Sequence, residues 1–161
     1  MEHLEIERKF LVKSNNYKTV AISKNRIVQG FLNTHPERTV RVRITEEKGF
    51  LTVKGMGNDS GTTRFEWETE ISLAEATNLI DLCEPVILEK VRFKVPVDGA
   101  MFEVDEFLGE NKGLVIAEIE LQHEDQPFKK PDWLGKEVTG NIKYYNAQLS
   151  ITPFNQWKDY E

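Results

Sequence analysis

Charged residues spaced two apart recur along this chain, and they are the residues with which it could do chemistry. Glu5-Ile6-Glu7-Arg8-Lys9 opens the series. Arg41-Val42-Arg43, Glu66-Trp67-Glu68, Lys90-Val91-Arg92, Glu103-Val104-Asp105 and Glu118-Ile119-Glu120 continue it. On a β-strand a spacing of two puts both members on one face. Paired carboxylates can grip a divalent cation such as Mg²⁺ or Mn²⁺, and neighbouring lysines and arginines can hold an anion bound to that cation. A chain of phosphates is a ligand that uses both halves. The plainer alternative is a solvated strand face over an apolar core, which suffices for any one strand alone.

Alternation predicts the strands that would carry these pairs. They run over residues 4–12, 26–32, 38–45, 50–54, 63–71, 86–95, 101–107 and 114–121. Ser14 is a plausible cap for a short helix over 15–20. Ser72 with Glu75 forms a capping-box pattern ahead of a helix over 73–82, whose stripe Leu73, Ala76, Leu79, Ile80 and Cys83 needs an apolar surface to cover. Residues 143–149 can form another short helix. The glycines of 55–61 lack the lysine and hydroxyl residue of a phosphate-binding P-loop, so that stretch reads as a hairpin end.

Composition narrows the class. The 161 residues suggest one domain, 1–161; 39% are hydrophobic and 30% charged, as in a soluble globular protein. No apolar run is long enough to span a membrane, and the acidic start does not read as a signal peptide. A lone cysteine, Cys83, suits a reducing, cytoplasmic setting. The net charge of −6 argues against nucleic acid as a partner while leaving a local anion site open. A homodimer is compatible with the chain. His3, His35 and His123 show no ligand spacing.

Eight largely antiparallel strands can close into a barrel with its charges turned outward or inward. Two features favour inward. Arginine and lysine concentrate on some strands and carboxylates on others, whereas a merely solvated face mixes them. The opposite faces carry Phe10, Phe65, Trp67, Phe93 and Phe102, bulky groups that could pack beneath covering helices. Buried charge demands counter-charge, water or ligand. Spacing alone leaves both orientations open.

The ordered set of motifs resembles the CYTH superfamily of triphosphate tunnel metalloenzymes. Glu5-Ile6-Glu7-Arg8-Lys9 is similar to the ExExK motif that defines it. Arg41-Val42-Arg43, Leu51-Thr52-Val53-Lys54-Gly55, Arg64-Phe65-Glu66-Trp67-Glu68, Glu89-Lys90-Val91-Arg92, Glu103-Val104-Asp105, Ala117-Glu118-Ile119-Glu120 and the tail Tyr144-Tyr145-Asn146 follow in family order. The resemblance implies an α+β fold: an eight-stranded antiparallel barrel with a charged interior and helices packed outside. It implies that Glu5, Glu7, Glu118 and Glu120 hold Mg²⁺ or Mn²⁺. Lys9, Arg41, Arg43, Lys54, Lys90 and Arg92 would clamp a small-molecule triphosphate, with Arg64 beside them. Glu66, Glu68, Glu103 and Asp105 would complete the lining. Glu5, Glu7, Lys9, Arg41, Lys54 and Glu120 would carry the chemistry. One departure is Phe31, where relatives often carry tyrosine two residues after the strand-two glutamine. The activity implied is metal-dependent hydrolysis of a triphosphate, foremost inorganic tripolyphosphate. The alternatives are a CYTH-type adenylate cyclase, a thiamine triphosphatase and a non-catalytic polyphosphate-binding module.

Overall fold

The computed structural model describes residues 3–157; residues 1–2 and 158–161 of the expected 1–161 domain lie outside the described residues. Nine strands form among the described residues: β1 Leu4–Val12, β2 Ser23–Asn33, β3 Arg38–Thr45, β4 Lys48–Gly57, β5 Thr63–Ile71, β6 Glu84–Val97, β7 Ala100–Phe107, β8 Val115–Glu120 and β9 Leu134–Glu137. The first eight pair antiparallel in the order β5-β4-β3-β2-β6-β7-β8-β1. Leu4↔Phe65, Glu5↔Arg64 and Ile6↔Thr63 then join β1 back to β5. That pairing closes the barrel and removes its free edges. Further along β1, where β5 has left, β9 takes over the edge through Phe10↔Glu137 and Val12↔Leu134.

Several elements differ from the sequence expectation. β2 and β6 run longer than alternation predicts, because the ladder continues through Ser23↔Lys94, Lys24↔Phe93 and Asn25↔Arg92. Backbone pairing of this kind is indifferent to the polarity of the side chains it carries. β9 is unexpected altogether. The helix over 15–20 shrinks to a 3₁₀ turn, Asn16–Thr19, that carries Tyr17 into the core. The helix over 143–149 breaks at Tyr145 into a 3₁₀ turn, Ile142–Tyr144, and one α turn, α2, Asn146–Leu149.

α1, Leu73–Ile80, starts on the expected capping box: Ser72 accepts from Glu75 N–H while the Glu75 carboxylate accepts from Ser72 N–H. It packs against β3 and β4. A Cβ on Gly49 would lie 2.5 Å from the Cβ of the fully buried Ala76, so the bare glycine is what lets the helix approach β4. Gly49→Ala is therefore expected to lower stability by about 1–3 kcal/mol, read as a fall in Tm. An unchanged Tm would mean the helix sits elsewhere.

Two apolar clusters brace the barrel. The outer one holds Phe10, Tyr17, Phe93, Phe102 and Trp133, with edge-to-face ring pairs at 5.4 Å for Tyr17–Phe93 and for Phe102–Trp133. Phe65 and Trp67, expected under a covering helix, are instead each 39% exposed. The second cluster holds Phe31, Leu88, Phe107 and Ile116, with Tyr144, Leu149 and Trp157 closing over them and Leu11 beside them. Register places these strand residues on the same face as the charges: Leu88 opposite Gln29, Phe107 opposite Lys90, Ile116 opposite Leu11 and Asp105. The lumen thus changes character along its axis. It is apolar and stoppered where β6 begins and β7 ends, and charged from there onward.

Candidate functional site

Strand parity determines which side chains meet. Glu7↔Glu120, Lys9↔Glu118, Arg41↔Thr52, Lys54↔Glu66, Thr52↔Glu68, Arg92↔Asp105 and Glu103↔Glu118 are cross-strand pairs, so each pair shares a face. These faces border one cavity of about 260 Å³. Its lining includes Glu5, Glu7, Lys9, Arg41, Arg43, Lys54, Arg64, Glu66, Glu68, Lys90, Arg92, Glu103, Glu118 and Glu120. Every site residue expected from sequence is there except Asp105. Asp105 is 2% exposed and lies behind Lys90 and Arg92, bonding both rather than bordering the cavity.

The deepest cations are tightly held. Lys90 Nζ lies 2.8 Å from Asp105 Oδ2, and Arg92 makes a two-pronged pair with the same carboxylate at 2.8 and 2.9 Å. Arg92 also approaches Glu103 at 3.2 Å and Glu118 at 3.7 Å. Despite full burial, these two cations hold Asp105 well below the usual carboxylate range. Burial dominates at Lys90 and lowers its ammonium to about 8, with Asp105 opposing the fall. Lys9 Nζ reaches Glu118 at 3.2 Å and the Tyr144 carbonyl at 3.4 Å. Burial works against the Lys9 ammonium, but Glu118 and Glu7 outweigh it and raise its pKa.

The arginine pair on β3 is less satisfied. Arg41 and Arg43 share one partner, Glu68 Oε2, at 3.4 Å each, while Thr52 Oγ1 donates to that oxygen at 2.6 Å. Among the described residues, the buried Nε–H groups of Arg41 and Arg43 find no acceptor. Arg43 is pushed down to about 10, first by burial and then by the like charges of Arg41 and Arg92. Buried cationic donors left in this state favour an incoming anion that can accept from them.

The carboxylates divide by partner. Lys54 Nζ pairs with Glu5 at 2.9 Å and Glu66 at 3.5 Å, and Lys9 with Glu118. Among the described residues, no ion pair involves Glu7 or Glu120, which face each other across β1 and β8. Glu7 is pushed up to about 8 by burial, then by Glu118 and Glu5. Glu120 is raised by burial, then by Glu5, Glu66 and Glu103. Like charges opposed on a strand pair are unfavourable unless something positive lies between them. Among the described residues, no three acidic, histidine or cysteine side chains form a ready-made metal cage. The donor chemistry nevertheless fits a hard divalent cation: oxygen ligands carrying excess negative charge, with few lysine partners.

Sequence reasoning missed the uncharged members. Thr52, Thr139, Tyr145 and Asn146 touch the charged set, and Gln29 reaches it through Asn146. Thr52, Thr139, Tyr145 and Asn146 line the cavity, and Gln29 lies against it. Tyr145 presents its ring to two cations, Lys9 Nζ at 5.2 Å and Arg64 Cζ at 5.6 Å. The parity that puts Gln29 and Thr52 on the charged face was readable. Local pattern around 139–146 does not point to a tunnel; only the resemblance of Tyr144-Tyr145-Asn146 to the family's tail, with a helix that borders a tunnel mouth in some members, points there.

Residues 3–149 match the CYTH domain family, and the chain belongs to that family. It is 47% identical over 157 residues to an inorganic triphosphatase of Acetivibrio thermocellus, covering 96% of this chain and 98% of the relative. It is 34% identical over 154 residues to an inorganic triphosphatase of Nitrosomonas europaea, covering 92% and 97%. A crystal structure of an inorganic triphosphatase superposes with a TM-score of 0.67 at 32% identity, covering 91% of this chain and 97% of that one. Among the described residues no helix is long and apolar enough to cross a membrane.

Proposed function

We propose that this protein hydrolyses inorganic tripolyphosphate to pyrophosphate and phosphate with a divalent metal, Mg²⁺ or Mn²⁺, in the cytoplasm. The observation that carries the reading is the lining itself: seven cationic and seven anionic side chains around one stoppered cavity, with two arginine Nε–H groups lacking acceptors. An anion-binding module would have no use for so many acids. A lining with as many carboxyl groups as cations also admits a highly charged triphosphate best when metal cations enter with it. The names of the two relatives above support the same substrate.

In this reading Lys9, Arg41, Arg43, Lys54, Arg64, Lys90 and Arg92 bind the phosphate oxygens. They also neutralise charge growing on the leaving phosphate, a role best filled by groups fixed in place beforehand. Glu5, Glu7, Glu118 and Glu120 are the residues that would hold the metal, which when bound withdraws charge from phosphate oxygens and activates water. Glu66, Glu68 and Glu103 orient the cations they touch, with Asp105 supporting Lys90 and Arg92 from behind. Water reaches the reacting phosphate from the wetter, acid-rich end, where the Glu68 and Glu103 side chains are 32% and 36% exposed.

The test is a panel of tripolyphosphate, ATP, thiamine triphosphate and pyrophosphate with Mg²⁺ or Mn²⁺, assayed for phosphate and for cyclic AMP. Phosphate release fastest from tripolyphosphate, lost on chelation, is expected. Cyclic AMP from ATP, or no turnover of any substrate, would overturn the proposal.

A further inference from the structure

Lys90 is the most buried cation of the tunnel, 2% exposed at its side chain, yet it borders the cavity. Its ammonium has three N–H groups and two fixed partners. One is Asp105 Oδ2 on β7 at 2.8 Å. The other is Asn146 Oδ1 at 2.8 Å, from the chain segment that stoppers the barrel. Gln29 Nε2, on β2, donates to that same Oδ1 at 2.7 Å. Lysine can only donate, so Asn146 must present its oxygen here. Gln29 must then turn its amide nitrogen the same way. Its own buried Oε1 finds no donor among the described residues. An orphaned buried acceptor costs about 1–3 kcal/mol, so an arrangement that tolerates one is holding something in place.

We propose that Asn146 is a positioning residue: with Asp105 it takes up two of the three N–H groups of Lys90 and so aims the third at the phosphate chain in the cavity. This rests on the tripolyphosphate reading for the identity of the ligand. The charged groups facing Lys90 are Asp105 from β7, Arg92 from its own strand and Glu118 from β8; the Phe107 ring lies 5.4 Å away. Asn146 is the neutral partner among them. Burial already weakens the ammonium, so losing its amide acceptor should bring the loss of charge to lower pH.

The test compares wild type, Asn146→Ala and Asn146→Asp as full-length protein. Each is followed by ¹³C-lysine NMR titration, with Lys90→Met identifying the signal, and by the pH dependence of kcat/KM for tripolyphosphate with Mg²⁺. Asn146→Ala is expected to shift the Lys90 titration and the alkaline limb down by about one pH unit, roughly a tenfold loss of rate on that limb. Asn146→Asp keeps both hydrogen bonds and adds a negative charge. It should move both upward while raising KM, and being isosteric it carries the test if the alanine variant fails to fold. A Lys90 signal titrating alike in all three, or an alkaline limb that ignores its movement, overturns the proposal. A wild type that binds tripolyphosphate without turnover sinks the hydrolase reading alone; the pH dependence of affinity then reports the same linkage.

Discussion

Arg41→Ala is expected to lower kcat/KM for tripolyphosphate by about 10²–10³ while leaving the free protein at least as stable as the wild type. Arg41 and Arg43 share one carboxylate oxygen at 3.4 Å, both keep a buried Nε–H without an acceptor, and Arg41 helps to depress Arg43. Removing Arg41 relieves that repulsion. Glu68 keeps Thr52 at 2.6 Å and Arg43 at 3.4 Å, and the vacated space opens onto the cavity rather than a packed core. In the free protein the loss is confined to long contacts, Thr52 Oγ1 at 3.1 Å and Glu68 at 3.4 Å, so the charge is missed most when phosphate is present. Arg41→Lys should recover part of the rate, since lysine restores the charge without the two-pronged geometry.

Arg92→Ala is the contrast. It strips Asp105 of a two-pronged partner and leaves that buried carboxylate to Lys90 alone, a loss of about 3–5 kcal/mol in stability. Activity falling in both variants, with Tm falling only in the second, separates a ligand-facing cation from one that also holds the barrel. Arg41→Ala turning over tripolyphosphate within twofold of wild type would remove Arg41 from the site.

Much of this arrangement was legible because β structure has a period of two. Once Glu5, Glu7 and Lys9 share a face, closure of the sheet decides only whether that face is lumen or surface, and like-with-like segregation of charge pointed to the lumen. What parity could not show is where along the lumen polarity ends. Leu11, Phe31, Leu88, Phe107 and Ile116 sit in phase with Lys9, Gln29, Lys90, Asp105 and Glu118, and only the registers reveal that they gather at one end. The stopper was harder still. Its residues come from 138–157, where turns of three or four residues follow one another and no periodicity develops, so local pattern alone does not bring Tyr145 and Asn146 to the site. β9 escaped for the same reason: four residues give alternation too little length to register.

Divalent metal is expected to raise Tm and to release close to one proton per protein near neutral pH, and Glu7→Gln should remove both effects. Glu7 is pushed from 4.5 up to about 8, by burial first and then by Glu118 and Glu5. A carboxyl group raised on folding is protonated in the native state and ionised in the unfolded chain between those two values. Its stabilisation is therefore fully present below pH 4.5, declines as pH rises and is lost through about pH 8. A cation held by carboxylates that include Glu7 would reverse the preference: a proton would leave as it binds, so affinity would grow with pH. At a metal concentration 100 times Kd the native state should gain about 2.7 kcal/mol. The gain in Tm should be larger at pH 8 than at pH 6, because at pH 6 the metal must first displace the proton. Calorimetry in two buffers of different ionisation enthalpy counts the protons, and scanning at the two pH values gives Tm. Glu7→Gln removes the titrating group, so its metal-free stability should vary less between pH 5 and 8. Proton release that persists in that variant, or metal binding that weakens as pH rises, would place the cation away from Glu7.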